Sequence, residues 1–386
     1  MATPDLFQQA ADGKAKFFLQ FGGQGSPWYK EVVNYWNNDP EVKKVLEVCV
    51  KALEEEHDTV AGTAGLPDGM PIRKWLDDPE SLASEDYLSC ASVSIPMIQM
   101  AQLAHFENLH LKGYDKGKLL DYTAGATGHS QGVITSSLAA LGLTGDDYLQ
   151  AAALYMKYVL YVGVRAQEEY PFFAANADEV AKSAELGAKG TPTPMVAVLG
   201  GDHDNAKRMM DEVNADLPDN EKIYISLYNS PSNRIMSSYR GSLIKFHEKH
   251  KAYMEENKMK FVYIRTTCPF HCPLMDDIGK RIEPDIERIG FKFTGKDLKV
   301  PVYSFNTGDN YQSDDKLPMT LYGDMAIKVL YWDKAVQAVD GNVSHILDFG
   351  PGKTSQRLSQ DTLKEMGREP TILAAGVPKD LKTLLA

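Results

Sequence analysis

Short apolar runs and helical periodicities alternate along the chain. Residues 16–21 (Lys-Phe-Phe-Leu-Gln-Phe) form a run that stops at Gly22-Gly23-Gln24-Gly25, the pattern of a buried strand feeding a glycine-rich loop. Helical spacing follows over about 28–56 and 92–110, and 119–127 is a weaker strand candidate. A long helix is predicted from about 146 to 169, closed by Pro171. Leu149, Ala152, Met156, Val159, Leu160 and Val162 make most of its faces apolar, so it is expected to be buried.

Composition shifts at 187–194 (Gly-Ala-Lys-Gly-Thr-Pro-Thr-Pro), a boundary signal. Beyond it the pattern predicts strand 195–199, helix 203–215, strands 223–228 and 233–238, helix 240–255 and strand 260–265. That β-α-β-β-α-β order is the ferredoxin-like unit. Residues 301–305 and 344–349 then read as further core strands. The expectation is an α/β protein. An α/β-hydrolase-like large subdomain with a parallel sheet covers 1–192 and 266–386, and a ferredoxin-like small subdomain is inserted at 193–265.

Between the two halves of the large unit, residues 126–135 read Ala-Thr-Gly-His-Ser-Gln-Gly-Val-Ile-Thr. Gly-x-Ser-x-Gly is the nucleophile-elbow pattern. Gly128 and Gly132 let a tight turn close around Ser130, and Val133, Ile134, Leu138, Ala139 and Leu141 form the apolar face of the next helix. The backbone N–H of Gln131, at that helix start, would point toward an oxyanion. A serine hydroxyl needs a base. Of nine histidines, His57, His105, His110, His203, His247 and His250 lie in charged or helical stretches read as solvated, and His345 reads as structural. His129 adjoins the serine but is expected to point away and support the elbow. His271 stands apart, in Cys268-Pro269-Phe270-His271-Cys272-Pro273, where two prolines stiffen the loop.

Composition limits the alternatives. The 386 residues are 43% hydrophobic and 24% charged, an ordinary globular balance. With 41 basic against 53 acidic residues the net charge is −12, which argues against bulk nucleic-acid binding. Four cysteines (Cys49, Cys90, Cys268, Cys272) suggest a reducing compartment without a disulfide framework, and no second ligand cluster accompanies Cys268, His271 and Cys272 to make a metal site. The first residues have no apolar signal core. A cytoplasmic enzyme fits, and so does a domain excised from a larger synthase.

Ordered motifs strengthen the histidine. Gly22-Gly23-Gln24-Gly25-Ser26, the elbow, Asn229 in Leu-Tyr-Asn-Ser-Pro, Pro269-Phe270-His271, Pro301-Val302-Tyr303 and Asp348-Phe349-Gly350-Pro351-Gly352 occur in this order. The chain therefore resembles the malonyl/acetyl-CoA:acyl-carrier-protein transacylase family. Within it the likeness is strongest to the acetyltransferase domain of the fungal type I fatty acid synthase β subunit, with which it shares Val162-Gly163-Val164-Arg165, Glu169-Tyr170-Pro171 and His345-Ile346-Leu347. The resemblance covers roughly residues 16–375.

That resemblance implies a Ser130–His271 dyad working by ping-pong through an acyl-serine. It implies acyl-CoA as donor, the phosphopantetheine of an acyl carrier protein as acceptor, and no permanently bound cofactor. It also implies a histidine oriented by a backbone carbonyl. Asp276, Asp277 and Asp348 are candidate third members by spacing alone; the first two read as solvated helix-start charges and the last as a core turn residue. The implied oxyanion hole uses the N–H groups of Gln24 and Gln131. Asn229, with Phe270 and His129, lines the implied acyl site. Malonyl-specific members carry an arginine where Val162 stands, so the acyl group is expected to be uncarboxylated, of acetyl type. Lys157, on the same helix, is the possible rescue. Arg265, Lys353 and Arg357 are candidates for a docking patch. A malonyl-specific transacylase, a hydrolase that edits stalled acyl carriers, and a non-catalytic docking domain are the alternatives.

Overall fold

Strand β1 (Phe17–Phe21), completely buried, lies at the centre of a parallel sheet in the computed structural model, which describes residues 3–386. Parallel strands covered on both faces are apolar on both faces, which is why β1 reads as a continuous run. The other strands are β2 (Thr123–Gly128), β3 (Met195–Leu199), β4 (Tyr224–Ser230), β5 (Asn233–Ser237), β6 (Lys260–Tyr263), β7 (Leu330–Tyr331), β8 (His345–Asp348) and β9 (Thr371–Ala374). The large sheet has the order β2-β1-β8-β9, all parallel. The second sheet runs β6-β3-β5-β4-β7.

Within the second sheet the first four strands are antiparallel neighbours, and with helices His203–Asn214 and Arg240–Glu256 they form the ferredoxin-like unit. Alternation along these strands separates two surfaces. Val196, Val198, Met236 and Phe261 pack with Ala206, Met209, Leu243 and Phe246 of the helices. Met195, Leu227 and Ile235 face the other way and join the main core. The small sheet thus presents its helix-free face to the large subdomain.

Several expectations are corrected. The small sheet takes a fifth strand, β7, from outside 193–265: Leu227 pairs with Leu330 and Tyr228 with Tyr331. The stretch 301–305 is not a strand. Val302 makes an isolated bridge to Ala126, and Tyr303 bridges to Asn310 as the chain turns back. Pro301 has no N–H to extend a ladder. The helical pattern at 28–56 is two helices, Tyr29–Asn38 and Pro40–Val60. Pro40 disfavours helix at the preceding residue, and Asp39 instead caps the second helix, accepting from Glu41 N at 3.2 Å and Val42 N at 3.1 Å. His105, His247 and His250, read as solvated, are buried. His105 sits against Glu31 (Nε2 to Oε2, 2.6 Å), while His250 meets the Met209 carbonyl at 2.8 Å. A helical period does not say which face is wet when both are polar.

Candidate active site

The end of β2 turns through Ser130 into helix Gly132–Ala140. Ser130 holds φ 53°, a left-handed conformation uncommon for a residue with a side chain. The flanking glycines are required by space. A Cβ on Gly128 would lie 1.9 Å from the Gly132 carbonyl carbon, and one on Gly132 would lie 2.3 Å from Phe21 O. The turn is pinned to β1 by His129 N donating to Phe21 O at 2.8 Å.

His271 also holds a left-handed backbone, φ 61°. Its N–H donates to Ala326 O at 2.8 Å, and the Phe270 carbonyl accepts from Ser237 Oγ at 2.9 Å, which ties the loop to both subdomains. His271 Nε2 lies 2.8 Å from Ser130 Oγ, and Nδ1 lies 2.8 Å from Lys328 O. A carbonyl can only accept, so Nδ1 carries the hydrogen and the Nε2 lone pair faces the serine hydroxyl. Burial pushes the His271 pKa down to about 4, opposed by the hydrogen bond to Lys328, so the ring is neutral at pH 7. The next turn of chain is held by buried Asp324, whose carboxylate accepts from Ser304 Oγ, Tyr311 OH and Lys328 Nζ at 2.5, 2.5 and 2.9 Å. Lys328 carried no sequence signal, because a backbone acceptor can be any residue, and nothing in the sequence marked Asp324 as the carboxylate that collects these donors.

The three aspartates considered as third members are elsewhere. Asp276 and Asp277 are exposed, and Asp277 pairs with Lys280. Asp348 is fully buried in the turn after β8, bonded to Gln20, Gly350 N and Ser355, and burial raises its pKa to about 6.

The side chains of Gln24 and Gln131 are both turned to helix Ala91–Leu111. Gln24 Nε2 donates to Ser94 Oγ at 2.7 Å, and Gln131 Nε2 to Ile95 O at 3.0 Å. Their backbone N–H groups have no protein acceptor among the described residues. The glycine loop and the elbow are in direct contact: a Cβ on Gly23 would lie 2.7 Å from His129 O. His129 is more than a support for the turn. It lines the cavity, and its Nε2 lies 2.8 Å from Asn229 Oδ1, which brings two of the sequence candidates together. Burial lowers its pKa to about 4.

Ser130, His271, His129, Gln24, Asn229 and Phe270 open onto one cavity of about 270 Å³ between the subdomains. Met195, Ala197 and Leu199 along β3, with Leu227, Ile235, Val262 and Ile264, supply an apolar wall from the helix-free face of the small sheet, and Leu358 closes the other side. Among the described residues, no Asp, Glu, Lys or Arg lines it. Two polar atoms of residues in the wall, Asn233 Oδ1 and Thr266 Oγ1, have no partner among the described residues.

Val162 is not in that wall. It is fully buried in helix Gly145–Glu169, which packs against helix Ala91–Leu111. Counting along the chain named Val162 and could not say which way its side chain faced. Lys157 pairs with Glu55 and Glu56, and Arg165 with Asp285 and Glu168; none of these lines the cavity. Arg265 pairs with Glu85, whereas Lys353 and Arg357 are exposed beside the wall residues Thr354, Ser355 and Leu358 and make no ion pair among the described residues. The four cysteines are free and buried, with Cys268 Sγ against Gln167 Oε1 at 3.7 Å and Cys272 Sγ against Pro269 O at 3.0 Å. No helix of the described residues is long and apolar enough to cross a membrane.

An elbow serine hydrogen-bonded to a buried neutral histidine is the nucleophile-and-base pairing of covalent catalysis. Residues 19–271 match the family described as starter unit:ACP transacylase in aflatoxin biosynthesis, and the chain belongs to that family. It is 28% identical over 364 residues to fatty acid synthase subunit beta of Schizosaccharomyces pombe, a match covering 89% of this chain and 17% of that protein. The Saccharomyces cerevisiae subunit is 26% identical over 370 residues, covering 91% of this chain and 18% of that protein. The chain thus spans less than a fifth of the length of these relatives. Among solved structures, the fold is similar to a malonyl CoA-acyl carrier protein transacylase from Clostridium perfringens (TM-score 0.65, 19% identity, 96% of each chain). It is also similar to a malonyl-transacylase solved in complex with a type II polyketide synthase acyl carrier protein (TM-score 0.68, 18% identity, 96% of this chain and 99% of that one).

Proposed function

We propose that this chain transfers an uncarboxylated acyl group from CoA to the phosphopantetheine thiol of an acyl carrier protein, through an ester on Ser130, in fatty acid or polyketide synthesis. The observation that carries the reading is the 2.8 Å contact between Ser130 Oγ and the unprotonated Nε2 of His271, at the floor of a cavity without charged side chains. His271 takes the serine proton as Oγ attacks the thioester carbonyl. The tetrahedral oxyanion is met by the N–H groups of Gln24 and Gln131. Collapse breaks the C–S bond, and the departing CoA sulfur receives the proton from His271. The carrier thiol then gives its proton to His271 and attacks the acyl-serine, which returns the proton to Ser130. No acidic third residue is needed, because Lys328 O orients the ring.

The acyl preference follows from charge. A malonyl carboxylate brought into this cavity would meet no cation, at a cost of several kcal/mol. The family description and the fungal synthase relatives support carrier-protein transfer. The exposed Lys353 and Arg357 beside the cavity are the proposed contacts for an acidic carrier.

The test is incubation with acetyl-, longer acyl- and malonyl-CoA, with and without carrier protein, reading intact-protein mass and free acid. One acyl mass on Ser130 that moves to the carrier supports transfer. Release to water as fast as to any carrier makes the chain a hydrolase.

A further inference from the structure

We propose that Gln102, which reaches neither the cavity nor the reacting atoms, is the positioning residue for the oxyanion-binding loop. The inference rests on the assignment of Gln24 and Gln131 as N–H donors made above.

Helix Ala91–Leu111 is buried along nearly its whole length, yet it carries Gln102 at 0% exposure. A buried carboxamide is costly unless bonded, and Gln102 is bonded three ways. Its Nε2 donates to Gly22 O at 2.7 Å and to Gly350 O at 3.0 Å, and its Oε1 accepts from Thr135 Oγ1 at 2.5 Å. Gly22 is two residues before Gln24. Thr135 is five residues after Ser130, on the elbow helix. Gly350 belongs to the turn after β8, whose carbonyl also accepts from Gly22 N at 2.9 Å. One side chain therefore joins the loop, the elbow helix and the turn.

The loop needs such a tie. Gly22 and Gly23 must be glycine, since a Cβ on either would lie 2.7 Å from a carbonyl oxygen. Two consecutive glycines leave the peptide planes before Gln24 with little restraint of their own. Gly22 O has no other hydrogen-bond donor among the described residues, so the Gln102 amide supplies the one directed bond to that carbonyl. The same helix holds Gln24 through Ser94 and Gln131 through Ile95 O, both about two turns earlier. Both N–H donors of the oxyanion hole are thus referenced to one buried helix. Misplacement by about 1 Å costs on the order of 10²-fold in comparable sites.

The test uses three variants and acylation of Ser130 from acetyl-CoA, followed by rapid quench and intact mass. Gln102→Met keeps the volume and removes both donated bonds; its maximal acylation rate should fall by roughly 10- to 100-fold with the donor concentration for half-maximal rate changed less than about twofold. Thr135→Val removes the partner that orients the amide and should show a smaller loss of the same kind. Gln102→Glu sets a carboxylate against two carbonyls at pH 8. It should recover as the pH falls to 6 and the acid regains a proton to donate to Gly22 O, while wild type stays level. A purely packing role predicts fewer active molecules, titrated with a fluorophosphonate, each acylating at the wild-type rate, and no pH recovery; that result overturns the proposal. If Gln102→Met does not fold, unchanged rates in Thr135→Val and no pH dependence in Gln102→Glu overturn it equally. A wild type that no acyl-CoA acylates defeats the proposed reaction itself, a failure distinct from the others.

Discussion

Ser130 Oγ and His271 Nε2 meet at 2.8 Å across 141 residues of chain, and each residue holds a positive φ. The strain at both ends is sustained by contacts around them: glycines at 128 and 132 on one side, the Ala326 and Lys328 carbonyls on the other. Two separately strained turns aimed at each other are what a nucleophile and its base require.

Removing either partner should abolish the chemistry as a unit. Ser130→Ala and His271→Ala are each expected to lower acyl transfer on the order of 10³-fold or more. Ser130→Ala should gain no acyl mass from acyl-CoA. An acyl mass on that variant would place the nucleophile elsewhere.

The pH profile should report the buried base. With its pKa lowered to about 4, His271 remains unprotonated down to pH 5, where an ordinary imidazole would be only about 3% neutral. Depression of a base moves its protonation to lower pH, so the acid limb of kcat/KM should fall near pH 4 to 5 and not near 6.5. An acid limb centred at 6.5 would mean the free enzyme's base is solvated.

Selectivity should follow the uncharged wall. Acetyl-CoA and short unbranched acyl-CoAs are expected to acylate Ser130 on the order of 10²-fold faster than malonyl-CoA, the equivalent of about 3 kcal/mol for an unpaired carboxylate. Equal malonyl loading would reject this. Because Val162 is fully buried and does not line the cavity, Val162→Arg should lower the melting temperature without raising malonyl transfer, which thermal unfolding and the same mass assay both read.

Asp324 should matter to stability. Its carboxylate collects two hydroxyls and the Lys328 ammonium at 1% exposure, so Asp324→Ala strands three donors. A loss of about 3 kcal/mol is expected in denaturant unfolding. A change below about 1 kcal/mol would show that the network is expendable.

Docking should be electrostatic and separable from loading. Lys353→Glu with Arg357→Glu is expected to slow transfer to the carrier several-fold, with a smaller effect on acylation from CoA. Raising salt toward about 0.5 M should mimic it by shortening the Debye length. Equal effects on both half-reactions would remove these residues from the carrier interface.

Local signals were sufficient for much of this architecture. The elbow, the glycine loop and the alternating strands of 195–263 are written in short windows: a tight turn must have glycines, and a strand with one covered face must alternate. β3 runs Met195–Leu199, as the periodicity predicted, and the β-α-β-β-α-β order is observed. Two prolines stiffening its loop made His271 a candidate, and the resemblance carried by the ordered motifs named it as the partner of Ser130.

What the windows could not hold was direction and distance. Whether Val162 faces a cavity, whether His105 is wet, that β7 crosses to the small sheet, and that Lys328 O rather than an aspartate orients His271 all depend on which surfaces pack together. A backbone carbonyl acceptor leaves no trace in residue identity, and a helix polar on two faces does not announce the buried one. Gln102 is the clearest case: in sequence it is one more polar residue on a helix, and only its three bonds to Gly22, Gly350 and Thr135 reveal what it holds in place.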